Sequence, residues 1–393
     1  MTQDRSRRNV VILATCQGLM MIGATTMIAE SALVGHMLAF DKSLATLPLA
    51  FMHVGVMATT FPASLFMARF GRRAGFSIGA LAGFAGAMLC VLAIVLGSFW
   101  LFCAGTFVTG AYTGFGTFYR FAAADGARAE WKARAISLVL TGGVLAAVLG
   151  PELAKATVDL LAPHVFAGSF AALGVTTLLA LALLQLLDIP PPAETAAGPA
   201  RPLGEIARQP VFVVAVASAM IAYGVMNLVM TATPLAMLAC DHGFHDAATV
   251  IQWHALGMFV PSFFTGGLIR RWGVTPVMAL GAALLAACAA VNLAGVAFAN
   301  FWVALLLLGI GWNFVFVGAS ALVTESYRPA ERAKAQALND FLVFATVSAT
   351  ALASGALMHL GGWAPVNLAT LPFVAAAALA VLWLARRRTT VTP

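Results

Sequence analysis

Two apolar runs carry side chains that suit a soft metal ion. YGVMNLVMTATP (223–234) presents Met226 and Met230, and QWHALGMF (252–259) presents His254 and Met258. Each pair is spaced i, i+4, which places both members on one face of a helix. Thioether sulfur and imidazole suit Cu(I), since soft ligands select soft metals. A neutral thioether also sits in hydrocarbon without the desolvation cost of a charge. The competing reading is packing, because methionine is ordinary core filler. A histidine at membrane depth is harder to assign to packing, since ionisable groups there are rare. Spacing alone leaves both readings open.

The elements that must position these residues are membrane helices. The 393-residue chain is 61% hydrophobic and 9% charged, with mean hydropathy +0.93. A soluble domain carries about 25% charged residues. Twelve apolar segments are long enough to span about 30 Å of hydrocarbon: 9–36, 45–68, 74–96, 99–121, 134–158, 166–188, 210–238, 246–269, 275–297, 301–325, 335–358 and 364–385. The stretch IPPPAETAAGPARPLGEIARQ (189–209) reads as a linker between an N-terminal six-helix bundle (1–188) and a C-terminal one (210–393). The expected fold is therefore an all-α membrane protein with 12 transmembrane helices in two pseudo-symmetric halves. MTQDRSRRN reads as the approach to a first span, not a cleavable signal peptide.

Of the 22 Lys and Arg, all but Lys42 and Lys155 fall on one side of that layout. They include Arg69, Arg72 and Arg73, Arg128, Lys132 and Arg134, Arg270 and Arg271, and Arg386 to Arg388. By the positive-inside rule both termini and the linker are expected in the cytoplasm. The net charge of +7 is thus explained by topology, without nucleic acid. The five cysteines lie in or beside apolar segments and read as free thiols. No phosphate loop, zinc spacing or nucleophile elbow is present, so no enzyme is expected and no cofactor.

The halves resemble each other. MARFGRRAG after the second segment matches LIRRWGVTP after the eighth, and GLMMIGATT lies on GVMNLVMTATP. In that alignment His53 and Met57 take the place of His254 and Met258, and Met20 lies opposite Met226, with Ala24 where Met230 would be. A ligand from the N-terminal half would let a central site sense alternating access, so His53 or Met57 is expected to approach the Met226–Met230 face in one conformation. Cys240 and Met237, at the outer end of the seventh segment, are candidates for a metal relay. Glu30 and Glu152 (in GPELAK) are candidate proton-coupling groups, since buried carboxylates often mark proton relays.

The layout and the basic RFGRR loop resemble the major facilitator superfamily. The motif pair M-x-x-x-M then H-x-x-x-M, at Met226, Met230, His254 and Met258, resembles the CcoA-type copper importers. That resemblance implies import of Cu(I) across a bacterial inner membrane for assembly of cbb3-type cytochrome oxidase. Copper is then cargo, the bilayer a partner, and a copper chaperone or exporter acts downstream in the cytoplasm. The same wider family includes riboflavin transporters. An alternative is therefore a carrier of riboflavin or another small organic molecule, lined by Tyr223, Trp253, Trp312 and Phe316. A copper-binding membrane sensor or assembly factor is a third reading.

Overall fold

The computed structural model describes residues 3–125, 135, 138–139, 141–189 and 201–391. Arg128, Lys132, Arg134 and most of the expected linker lie outside them. Every regular element among the described residues is a helix. That is what apolar runs without water dictate, because a membrane helix satisfies its own backbone polar groups. By length and hydropathy, nine helices among the described residues can cross a membrane.

The chain divides into two compact units, Met1–Glu194 and Thr195–Pro393. In the first, α1 (Gln3–Leu38) packs on α6 (Gly142–Thr157) and α7 (Ala167–Leu184). Helices α2 (Leu47–Phe70) and α3 (Arg72–Leu96) both pack on α4 (Phe99–Gly116), and a short α5 (Tyr119–Asp125) follows. In the second unit, a short α8 (Leu203–Ala207) precedes α9 (Pro210–Ala239). Then come α10 (Phe244–Phe259), α11 (Ser262–Trp272), α12 (Val274–Ala294), α13 (Phe298–Glu325) and α14 (Arg332–Gly361). The chain closes with α15 (Trp363–Leu368) and α16 (Leu371–Val391). Helix α9 packs on α13 and α14, and α10 packs chiefly on α13.

The two units repeat each other in detail. Gly71 ends α2 with φ 88° and ψ 161°, and Gly273 ends α11 with φ 88° and ψ 162°. Only glycine adopts that positive φ without strain, which explains a glycine at each basic junction. The crossing of α2 with α4 is matched by that of α10 with α13. A Cβ on Gly55 would meet the Phe107 carbonyl oxygen at 2.2 Å, and one on Gly110 would meet the Met52 oxygen at 2.0 Å. In the second unit, Gly257 faces the Leu306 oxygen at 2.9 Å and Gly309 faces the His254 oxygen at 2.4 Å. Small residues here let the helix backbones touch.

That crossing corrects the repeat register. Gly55 corresponds to Gly257, so His254 corresponds to Met52 and not to His53. The expected equivalence of His53 and Met57 with His254 and Met258 is off by one residue. The discrepancy arises because polar residue types guided the alignment, whereas backbone contact at glycine decides the register.

Part of the expected linker is structured. Arg201 donates from its backbone N, Nε and Nη2 to the Glu331 carboxylate at 2.9, 2.8 and 2.6 Å. Lys334 Nζ donates to the Arg201 carbonyl, and Gln209 Nε2 donates to the Ser326 carbonyl at 2.9 Å. Residues 201–209 therefore belong to the second unit. The Arg201 guanidinium holds the Glu331 carboxyl well below the usual carboxylate range.

Candidate functional site

The four motif residues lie on α9 and α10. Met226 and Met230 are buried, as the apolar α9 face between α13 and α14 requires. Between them Asn227 donates to the Val347 carbonyl at 2.9 Å and to Thr350 Oγ1 at 3.2 Å, tying α9 to α14. His254 is completely buried, and its Nδ1 lies 2.8 Å from the Leu305 carbonyl of α13. A carbonyl accepts only, so Nδ1 carries the proton and Nε2 presents a lone pair. Nε2 has no hydrogen-bond partner. The imidazole is thus fastened to α13 at the glycine crossing, while Met258 is half-buried. Among the described residues no three His, Cys, Asp or Glu side chains form a group able to hold a metal ion.

The expected single span 246–269 is broken. Helix α10 stops at Phe259 and α11 starts at Ser262, with Val260 and Pro261 between. Proline lacks the amide that would continue the helix ladder. With the ladder interrupted, the Met258 carbonyl, which the Ser262 amide would take in a continuous helix, is taken by Asn313 Nδ2 of α13 at 2.7 Å. Asn313 Nδ2 also reaches Ser262 Oγ at 2.6 Å, and Thr265 Oγ1 donates to Asn313 Oδ1 at 2.7 Å. One buried amide thus uses both N–H groups and its oxygen across the break. Sequence reading missed this cluster. The available signal was a proline and an asparagine, each inside a long apolar run.

An aromatic cluster joins α9 to α13. Trp312 and Phe316 stack with centroids 4.9 Å apart and 12° between planes. Tyr223 sets its ring edge against both, at 5.0 Å from each centroid. This is the offset-or-edge geometry that aromatic rings prefer. Trp312 is buried, yet its Nε1–H has no acceptor. Trp253, expected beside them, instead faces outward and meets Trp302 at 5.3 Å.

The remaining candidates separate. Cys240 caps the C-terminus of α9 as a free, half-buried thiol, while Met237 is fully buried. His53 Nδ1 hydrogen-bonds to Leu49 O on its own helix at 2.8 Å, and both His53 and Met57 are half-buried. Glu152 is exposed and pairs with Lys155 at 2.9 Å, correcting its expected burial. The i, i+3 spacing brings that cation alongside. Glu30 is completely buried, as expected of an intramembrane carboxyl.

The family model described as Major Facilitator Superfamily matches residues 11–251 and 217–393. The chain belongs to this superfamily. It is a multi-pass membrane transporter and not an enzyme. It is 45% identical over 375 residues to the riboflavin transporter RfnT of Brucella anthropi, covering 94% of each chain. It is also 29% identical to the uncharacterized MFS-type transporter YddS of Bacillus subtilis, over 90% of this chain and 86% of that one. A POT family transporter solved with 5-aminolevulinic acid superposes with TM-score 0.79 at 11% identity, over 98% of this chain and 97% of that one. A D-xylose-proton symporter superposes with TM-score 0.73 at 17% identity, over 95% and 96%. At such identities the last two show the fold alone.

The relative from Brucella overturns the copper reading. Similarity across nearly the whole of both chains to a protein named as a riboflavin transporter outweighs a copper motif of four residues. Methionines at helical spacing serve equally as apolar packing, and Met226 and Met230 lie in the α9 core.

Proposed function

We propose that this transporter carries riboflavin, or a close flavin relative, across a bacterial inner membrane into the cytoplasm. The observation that carries the reading is the 45% identity, over 94% of both chains, to a protein named as a riboflavin transporter.

The second unit supplies chemistry that fits. Isoalloxazine is flat, aromatic and rich in hydrogen-bond acceptors. Stacking of a flat heterocycle on aromatic side chains is worth about 1–3 kcal/mol per ring. Tyr223, Trp312 and Phe316 offer such rings, and Trp312 offers an unspent N–H. Small-molecule sites combine apolar and aromatic walls with few polar groups, which is the character of this cluster.

The test is uptake of radiolabelled riboflavin by a bacterial riboflavin auxotroph that lacks its own carrier, with and without the full chain. Copper accumulation is measured in the same cells. Growth on low riboflavin and label accumulation are expected only with the chain present. Accumulation of copper without riboflavin would overturn the reading.

A further inference from the structure

We propose that Glu30 is the proton-carrying group of this transporter, so that cargo movement is coupled to a proton. The assignment rests on the carrier reading above but not on the identity of the cargo.

Glu30 lies on α1, in the interior of the first unit. It is completely buried, and neither carboxyl oxygen has a hydrogen-bond partner of good geometry. Native proteins rarely leave buried polar atoms unpaired, so such a group calls for an explanation. An intramembrane ionisable residue is costly and marks function by default.

Among the described residues the neighbourhood offers no cation. One turn earlier on the same face, Thr26 Oγ1 donates to the Gly150 carbonyl of α6 at 3.1 Å, which directs this face toward α6 and α7. Helices α4 and α7 carry no charged residue. On α6, Lys155 is engaged by Glu152. Lys42, in the turn after α1, donates to the His36 and Ala39 carbonyls at 2.6 and 2.8 Å, and Asp41 accepts from Ser43 N. His53 on α2 is bonded to Leu49 O. Arg69 at the far end of α2 lies over Phe70, and Arg120 of α5 lies over Phe121. Among these described groups a structural ion pair does not account for Glu30.

What lies beside the carboxyl is the Ser169 hydroxyl of α7. Ser169 Oγ is 3.1 Å from Thr157 Oγ1 of α6. In that pair Thr157 is the donor and Ser169 the acceptor. The Ser169 hydroxyl itself donates to the Ala154 carbonyl at 3.5 Å, a long contact that it can exchange for an ionised Glu30, while its oxygen can accept from the protonated acid. One hydroxyl serves both states. In the step itself, a Glu30 carboxylate oxygen takes a proton from water on one side of the membrane. It returns that proton to water on the other. Gaining or losing it changes what α1 exchanges with α7, which is the differential contact that a coupled conformational change requires.

The test has two arms, both on the purified full chain in liposomes. In the first, dicyclohexylcarbodiimide, which attacks protonated carboxyls in apolar surroundings, is followed by peptide mass mapping over a pH series. Labelling of Glu30 that declines as pH rises is expected, with Glu152 unlabelled. An unlabelled Glu30, or labelling indifferent to pH, overturns the proposal. In the second arm, riboflavin accumulation is driven by an imposed pH gradient. A carrier exchanging one proton per cargo accumulates it about tenfold per pH unit, since each unit is a tenfold proton ratio.

Glu30→Gln should bring accumulation down to equilibration while riboflavin exchange continues. A Glu30→Gln variant that still concentrates riboflavin overturns the proposal. So does a wild type that exchanges riboflavin without responding to the gradient, although that result leaves the cargo reading intact. If no riboflavin is exchanged at all, the cargo reading fails and the labelling arm alone judges Glu30. If Glu30→Gln does not fold, Ser169→Ala takes its place. It should shift the pH at which labelling declines, and an unshifted profile overturns the link.

Discussion

Asn313 on α13 donates from Nδ2 to the Met258 carbonyl of α10 at 2.7 Å, across the point where Pro261 interrupts a membrane helix. The bond explains how a broken helix is tolerated away from water, because the freed backbone group is repaired by a neighbouring helix. Asn313→Leu strands that carbonyl and should cost about 1–3 kcal/mol, the range for an unsatisfied buried polar group. In a Pro261→Ala background the cost should shrink, since a continuous helix supplies the Ser262 amide to the same carbonyl. Unfolding of the single and double variants in detergent measures both terms. Strictly additive costs would show that the break and the amide are unrelated.

The glycine crossings make a sharper packing prediction. A Cβ at position 309 would sit 2.4 Å from the His254 carbonyl oxygen, which is backbone and cannot swing aside. Gly309→Ala should therefore destabilise by about 1–3 kcal/mol, as overpacked sites do. Gly266→Ala meets nothing within 4 Å and should stay within about 0.5 kcal/mol of wild type. Equal thermal shifts for the two variants would refute the crossing.

Trp312 separates stacking from hydrogen bonding. Trp312→Phe keeps an aromatic ring against Phe316 and Tyr223 but removes the unpartnered N–H. If that N–H meets a flavin acceptor, the KM for riboflavin should rise about tenfold, the equivalent of one net hydrogen bond. Trp253→Phe, at an outward-facing ring, should leave uptake unchanged. An unaltered KM in Trp312→Phe would remove this indole from the cargo site.

The Arg201–Glu331 pair predicts a pH response outside the membrane. Arg201 depresses the Glu331 carboxyl, so its contribution is present above the ordinary carboxylate range. It is lost only as pH falls through the depressed folded value. Glu331→Gln should lower the melting temperature by the same amount at neutral and at mildly acidic pH. A gap that closes on mild acidification would show that the carboxyl is not held by Arg201.

The helical class and the basic junctions were legible in the residues alone. They follow from local rules: apolar length, charge position, and a glycine wherever φ turns positive, as at Gly71 and Gly273. The burial of Glu30 was legible for a similar reason, because a carboxyl inside an apolar run is expected at depth. Periodicity could not show which way a polar side chain turns. Glu152 also lies in an apolar run, yet it is exposed and paired with Lys155. Nor could it show whether His254 turns toward a methionine or toward a backbone. The close approach of α10 to α13 at Gly257 and Gly309 placed the Leu305 carbonyl within reach of Nδ1, and that contact fixed the ring. The same crossing moved the repeat register by one residue and brought Asn313 to the Pro261 break. Each of these outcomes depends on how closely two helices far apart in the chain approach each other. Helix spacing is set by the small residues at the crossing, and the fold alone decides which crossings occur.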